Sequence, residues 1–206
     1  MIKDIHWLGH DTFKIVGEKV IYTDPFKIKK KGEEADIILI THEHYDHCSP
    51  DDVKLVQGPD TVIVTTADCA KKLTGKVKTV KPGDTVTVEG IEIDAVPSYN
   101  TNKQFHPKTN GWVGYIFTAK GQRIYIAGDT DYIPEMKNFR VDIALLPVSG
   151  TYVMTAEEAV RAALDIRPKI AIPMHYGSIV GSKDDADRFA EGLKGKIEVV
   201  ILQEES

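Results

Sequence analysis

The chain has 206 residues, 42% of them hydrophobic, with 26 Lys and Arg against 31 Asp and Glu, a net charge of −5 and a pI near 5.8. That length supports one well-buried core and is short for two full domains, so a single domain over residues 1–206 is expected. The acidic balance gives no general attraction to nucleic acid, and no apolar run of about 18 residues is present to cross a membrane.

The first segment, MIKDIHWLGH, lacks the apolar stretch of a signal peptide. Cys48 and Cys69 are too few for a disulfide scaffold, which fits a reducing cytoplasmic setting. DIHWL, TFKIV and KVIYTD predict short strands parted by Gly9 and Gly17. KIKKK, residues 27–31, runs at once into Glu33 and Glu34 and reads as a solvated turn rather than a phosphate-binding patch. Next comes ADIILITH, a nearly continuous apolar run ending in polar residues. QRIYIAGD, VDIALLPVSG and PKIAIPMHYG repeat the design. Runs of this kind suit interior strands covered on both faces. Ligands in open α/β sheets collect beyond strand ends, so His42, Asp129, Ser149 and His175 are candidates for one rim.

Ser49-Pro50 predicts a helix start, with serine as the cap and proline in the first turn. Thr85–Val96 alternates apolar and polar residues about Glu89-Gly90, which predicts a hairpin with one buried face. Thr155 with Glu158 forms a capping box, followed by the apolar face Ala156, Ala159, Val160, Ala163 and Leu164 up to Pro168. Ser182 with Asp185 opens a further helix, whose Ala186, Phe189, Ala190 and Leu193 lie at helical spacing before Gly195. Strands and helices mixed in this way indicate an α/β sandwich.

THEHYDH, residues 41–47, carries the chemistry. Crowded imidazoles and carboxylates cost stability unless something compensates them, and a metal ion does so. His42 and His44 are two apart and share a side of an extended segment; Asp46 keeps that parity and His47 is its neighbour. The turn can thus offer His42 and His44 to one ion and Asp46 and His47 to a second. Donors of this type suit zinc, manganese or iron rather than a Cys-rich structural zinc. Cys48, Trp7 and Trp112 read as core residues, and His6 as core or edge. Ser149, Thr151, Tyr152, Ser178 and Lys183 are candidate pocket residues.

THEHYDH resembles the HxHxDH signature of the metallo-β-lactamase superfamily, and further landmarks follow in order: Asp129 in IYIAGDTD and His175 in IPMHYG. DIHWLGHDTF and YTDPF are most similar to the branch containing L-ascorbate 6-phosphate lactonase and N-acyl phosphatidylethanolamine phospholipase D. The resemblance implies a four-layer αββα sandwich with two divalent ions at one edge, zinc foremost, with manganese and iron also fitting. It implies His42, His44, Asp46, His47, His106, Asp129 and His175 as ligands, with Asp129 bridging. His106 is the sole histidine of its loop, and the loop departs from relatives that carry this ligand nearer Ser98–Asn100. By the same resemblance Asp24 lies beside the metal loop, and His10 binds substrate or acts as general acid; Tyr176, directly after His175, is a candidate pocket or ligand-supporting residue.

The implied activity is hydrolysis of a small cytosolic substrate, a lactone or phosphate ester, by a metal-bridging hydroxide that Asp46 orients. A phosphodiesterase or nuclease, a di-iron oxidoreductase and a non-catalytic metal-binding module are the alternatives. The first lacks room for an RNA-gripping domain, and the second lacks a flavin domain. The full ligand set argues against the third, because a structural ion needs no second, open site. A homo-oligomer is compatible with the sequence.

Overall fold

The computed structural model describes residues 2–205. The first sheet is built from β1 (Ile5–Trp7), β2 (Phe13–Val16), β3 (Val20–Thr23), β4 (Ala35–Leu39), β5 (Gln57–Thr65) and β6 (Lys76–Thr79), paired in that order. The second holds β7 (Thr85–Val88), β8 (Ile91–Pro97), β9 (Val113–Ala119), β10 (Gln122–Ile126), β11 (Ile143–Pro147), β12 (Ile170–Met174) and β13 (Glu198–Val199), again neighbour to neighbour. Each sheet begins as an antiparallel meander and continues with parallel strands: β3 to β6 in one, β10 to β13 in the other.

The apolar runs are strands covered on both faces, and β4 shows why they are continuous. Ile37 and Leu39 belong to the core shared between the sheets, with Phe13, Ile15, Tyr115 and Phe117. Ile38 belongs instead to a second cluster with Val53 and Val56 of α1 (Pro50–Val56) and Cys69 of α2 (Ala67–Ala70). On the far side, α3 (Ala156–Ile166) and α4 (Lys183–Leu193) pack on each other and on the second sheet. The layers are therefore helix, sheet, sheet, helix, the expected four-layer αββα sandwich. Each fully buried isoleucine or phenylalanine stabilises this stack by roughly 1.5–3 kcal/mol.

Local chemistry ends the elements where the residues predict. Both capping boxes form, Thr155 with Glu158 and Ser182 with Asp185. Ser49 caps α1 by accepting from the Asp52 backbone. Glu89 and Gly90 take φ of 51° and 82°, the paired left-handed conformation of a two-residue hairpin turn. In α3 the buried stripe is Ala156, Ala159, Ala162, Ala163 and Ile166, shifted from the predicted face, and Val160 and Leu164 flank it partly exposed. The KIKKK turn lines a cavity of about 370 Å³ together with His6, Lys14, Tyr22 and Glu205. Its lysines meet carboxylates there: Lys29 meets Glu204 and Lys31 meets Glu34, while Lys14 meets Glu33. No helix among the described residues is long and apolar enough to cross a membrane.

Candidate metal centre

Five strand ends converge on one rim. Asp24 follows β3, His42 follows β4, Asp129 follows β10, Ser149 follows β11 and His175 follows β12. The two sheets are tied beneath this rim. The buried Tyr115 hydroxyl of β9 donates to Ile40 O at 2.8 Å and Val64 O at 3.1 Å. Gly128, at φ 61°, stands against Thr41; a Cβ there would lie 2.9 Å from the Thr41 Cβ, so only glycine lets the sheets close.

The histidines and carboxylates fall into two groups. His42, His44, His106 and Asp129 form one, with a donor atom from each within 4.8 Å of the others. His10, Asp46, His47 and His175 form the second. Asp129 stands between them. Its Oδ2 is 3.1 Å from His106 Nε2 and 3.9 Å from His42 Nε2, while its Oδ1 is 3.3 Å from His47 Nε2 and 3.2 Å from His175 Nε2. His42 Nε2 and His44 Nδ1 approach to 3.1 Å. Two donors on one tetrahedral ion at bonds of about 2.0–2.1 Å would be about 3.3 Å apart.

The buried imidazoles of His42, His47, His106 and His175 are each held by Nδ1. His47 Nδ1–H donates to Asp24 Oδ2 at 2.8 Å. The Thr41 hydroxyl donates to the same carboxylate, which leaves Thr41 Oγ1 to accept from His42 Nδ1 at 3.0 Å. His106 Nδ1 faces Asn100 Oδ1 at 3.2 Å, and His175 Nδ1 pairs with Ser149 Oγ at 2.9 Å. Such partners fix ring orientation and leave Nε2 for a ligand role. His47 Nε2, His106 Nε2, His175 Nε2 and Asp129 Oδ1 are buried and lack hydrogen-bond partners. These are the atoms turned toward one another. A divalent cation supplies what the protein does not, so the donor set fits a metal.

Asp24, expected beside the metal loop, accepts from the Thr41 amide, the Thr41 hydroxyl and His47. His106 is buried in the first group, and Ser98 and Asn100 bind the Asp129 carbonyl and the His106 ring instead of filling its place. His10 is buried with Nε2 3.1 Å from Asp46 Oδ2. Tyr176 is buried, its ring packed 4.9 Å from Trp7 in the core. Trp7 donates from Nε1 to the His10 carbonyl, and Trp112 lies 4.9 Å from both His42 and His44, so both tryptophans back the centre. Cys48 is a buried free thiol. Lys183 pairs with Asp187 on α4, and Ser178 accepts from Lys27.

His10, Asp24 and His175 take φ of 51°, 37° and 60°, conformations that strain a residue with a side chain and that cluster at functional sites. A cleft of about 210 Å³ opens beside them, lined by His44, Tyr45, Asp46, Phe105, His106, Asp129, Tyr152 and Ile179. Tyr45 and Phe105, 69% and 49% exposed, are the large apolar residues left open to solvent among those described. Neither was named as a site residue. Tyr45 was legible in principle, as the aromatic of opposite parity within the metal loop; Phe105 sits in irregular chain and carried no signal.

The family described as the β-lactamase superfamily domain matches residues 4–175. The chain belongs to the metallo-β-lactamase superfamily. A Thermococcus kodakarensis protein named UPF0173 metal-dependent hydrolase is 34% identical over 220 residues, covering 98% of this chain and 97% of the relative. One of that name from Thermoplasma volcanium is 35% identical, covering 90% and 88%. A crystal structure from Parabacteroides distasonis is 40% identical with a TM-score of 0.86, covering 97% and 93%. Igni18, a metallo hydrolase of Ignicoccus hospitalis, shares the fold at 22% identity and a TM-score of 0.79, covering 98% and 95%.

In this superfamily member the metal-free imidazoles are pulled in opposite directions. Burial pushes His10 down to about 4 and His42 well below the usual range. Burial acts the same way on His175 and His47, but the Asp129 charge outweighs it and carries His175 up to about 9 and His47 well above 6.5. A ligating imidazole must be unprotonated, so ions and protons compete for these nitrogens. Between pH 6.5 and about 9 the metal-free protein holds protons that the metal-bound form lacks. Metal affinity is therefore expected to rise with pH through that window, by about tenfold or more, and to level off above it. Competition with a chromophoric chelator measures this, and a flat profile would remove His47 and His175 from the ligand set.

Proposed function

We propose that this protein is a dinuclear metal-dependent hydrolase of a small substrate, with a lactone or phosphate ester as the bond attacked. The observation that carries this reading is Asp129, whose two oxygens face separate histidine groups at 3.1–3.3 Å. His42, His44, His106 and Asp129 would hold one ion, and Asp46, His47 and His175, with Asp129, the other. Zinc suits the imidazole-rich first position, with manganese or iron as alternatives. The relatives' name, metal-dependent hydrolase, supports hydrolysis.

When bound, two such ions supply an activated water at neutral pH and polarise the oxygen on which charge develops. Asp46 lines the cleft and accepts a hydrogen bond from the attacking water. His10, kept neutral by burial, donates Nε2–H to Asp46 Oδ2 and holds that carboxylate in place. The departing oxygen would take up the proton that the attacking water gives to Asp46, with His10 as the positioning residue. Tyr45, Phe105, Tyr152 and Ile179 wall the cleft with aromatic and apolar surface.

The test is elemental analysis of the parent and His106→Ala, with turnover on aliphatic lactones and on p-nitrophenyl phosphate mono- and diesters. Two equivalents are expected in the parent and about one in the variant, with turnover on one substrate class that chelation abolishes. Two equivalents in both proteins would move His106 out of the centre. Fewer than two in a metal-supplemented parent would sink the dinuclear reading. A fully loaded parent inert toward both classes would sink the substrate assignment.

A further inference from the structure

Asp11 follows His10 in the turn between β1 and β2, and only 1% of its surface is exposed. Its backbone carbonyl accepts from Thr23 Oγ1 at 3.0 Å, yet neither carboxylate oxygen has a hydrogen-bond partner among the described residues. Oδ2 lies 4.0 Å from His47 Nδ1, but that nitrogen's proton already goes to Asp24. One Asp11 oxygen, one His47 nitrogen and one Asp129 oxygen lie within 4.8 Å of one another. A buried carboxylate without hydrogen bonds is among the costlier groups a fold can carry. A proton relieves such a group, and so does a cation close by.

We infer that Asp11 serves the second ion position as an additional carboxylate, and that it biases this position toward a hard, oxygen-seeking divalent ion such as manganese(II). The inference rests on the two-ion reading above. The first position faces three imidazoles and the single carboxylate of Asp129. The second faces Asp46 and Asp129, and an Asp11 oxygen lies within 4.8 Å of donor atoms of His47 and Asp129. Imidazole-rich sets suit zinc, whereas carboxylate-rich sets suit manganese and other hard ions. Two adjoining positions that share one bridging residue would thus differ in the ion each prefers.

Asp11→Asn tests this, because it keeps the side chain's size and removes its charge. Parent and variant are loaded with one equivalent of zinc and titrated with manganese(II), free manganese being read by electron paramagnetic resonance. Zinc binding at the second position is titrated separately. Manganese affinity is expected to fall about tenfold or more in the variant, and zinc affinity by less. A manganese change under about twofold, with the parent still taking its second equivalent, would overturn the role of Asp11 and leave the two-ion reading standing. Equal losses for both ions would overturn the selectivity. A parent that takes no second equivalent would overturn both readings. Melting of the metal-free proteins checks folding, and Asp11→Ser carries the same expectations if the asparagine variant does not fold.

Discussion

Asp129→Asn is expected to reduce bound metal from two equivalents to at most one and to lower turnover by about 10³-fold, some 4 kcal/mol of transition-state stabilisation. The reason is geometric. Oδ2 faces His106 at 3.1 Å, and Oδ1 faces His47 and His175 at 3.3 and 3.2 Å, so one side chain stands in both groups. An amide offers a single oxygen and no charge. It can serve one position weakly, and it puts an N–H donor where the other expects an acceptor. The loss should also reach the imidazoles. In the metal-free protein the Asp129 charge, acting against burial, holds His47 and His175 protonated above their usual range, and without it both should titrate lower. Elemental analysis, turnover and histidine NMR titration read these effects. A variant with two equivalents and parental turnover would show that Asp129 is no bridge.

Asp24→Ala should be the costliest single truncation behind the metal loop. The carboxylate is fully buried and accepts from Thr41 N at 2.8 Å, Thr41 Oγ1 at 2.7 Å and His47 Nδ1 at 2.8 Å. Removing it leaves three buried donors without an acceptor, which is expected to cost about 3–5 kcal/mol. The Thr41 amide and the His47 ring would lose their anchor together, so metal affinity should fall a further 10–100-fold. Denaturant unfolding of the metal-free protein isolates the first effect, and a metal titration the second. Asp24→Asn should fall between parent and alanine, since its amide nitrogen meets donors at one of the two oxygen positions. Metal-free stability within about 0.5 kcal/mol of the parent for the alanine variant would refute this account.

The difference between residues whose place a local pattern sets and those whose place it does not is one of periodicity. His42, His44, Asp46 and His47 were legible because a strand's alternation and a tight turn set where side chains point. Asp129 and His175 were legible because each ends a continuous apolar run. His106 has no such frame: its place depends on Asn100, which receives the His106 amide at 2.9 Å and whose own amide is held by Asp131 and the Tyr152 carbonyl. That scaffold is long-range, and no local pattern announces it. Asp11 reads as an ordinary turn carboxylate, and only packing shows that both its oxygens are sealed in. Tyr176 packs into the core beside Trp7, a direction that adjacency to His175 does not set.

Neither half of the chain owns a complete set of donors. On the two-ion reading proposed above, the first position would take His42 and His44 from the amino-terminal sheet and His106 and Asp129 from the other; the second would take Asp46 and His47 from one and His175 and Asp129 from the other. During synthesis, His175 leaves the ribosome more than a hundred residues after His42. Tight capture of an ion therefore has to wait until both sheets are made and docked. A nascent or half-folded chain would offer only a few neighbouring imidazoles, too weak a foothold to strip metal from the cell's buffers. Ion uptake in such an architecture is a late event of biogenesis, and a loaded centre marks a chain that has finished folding.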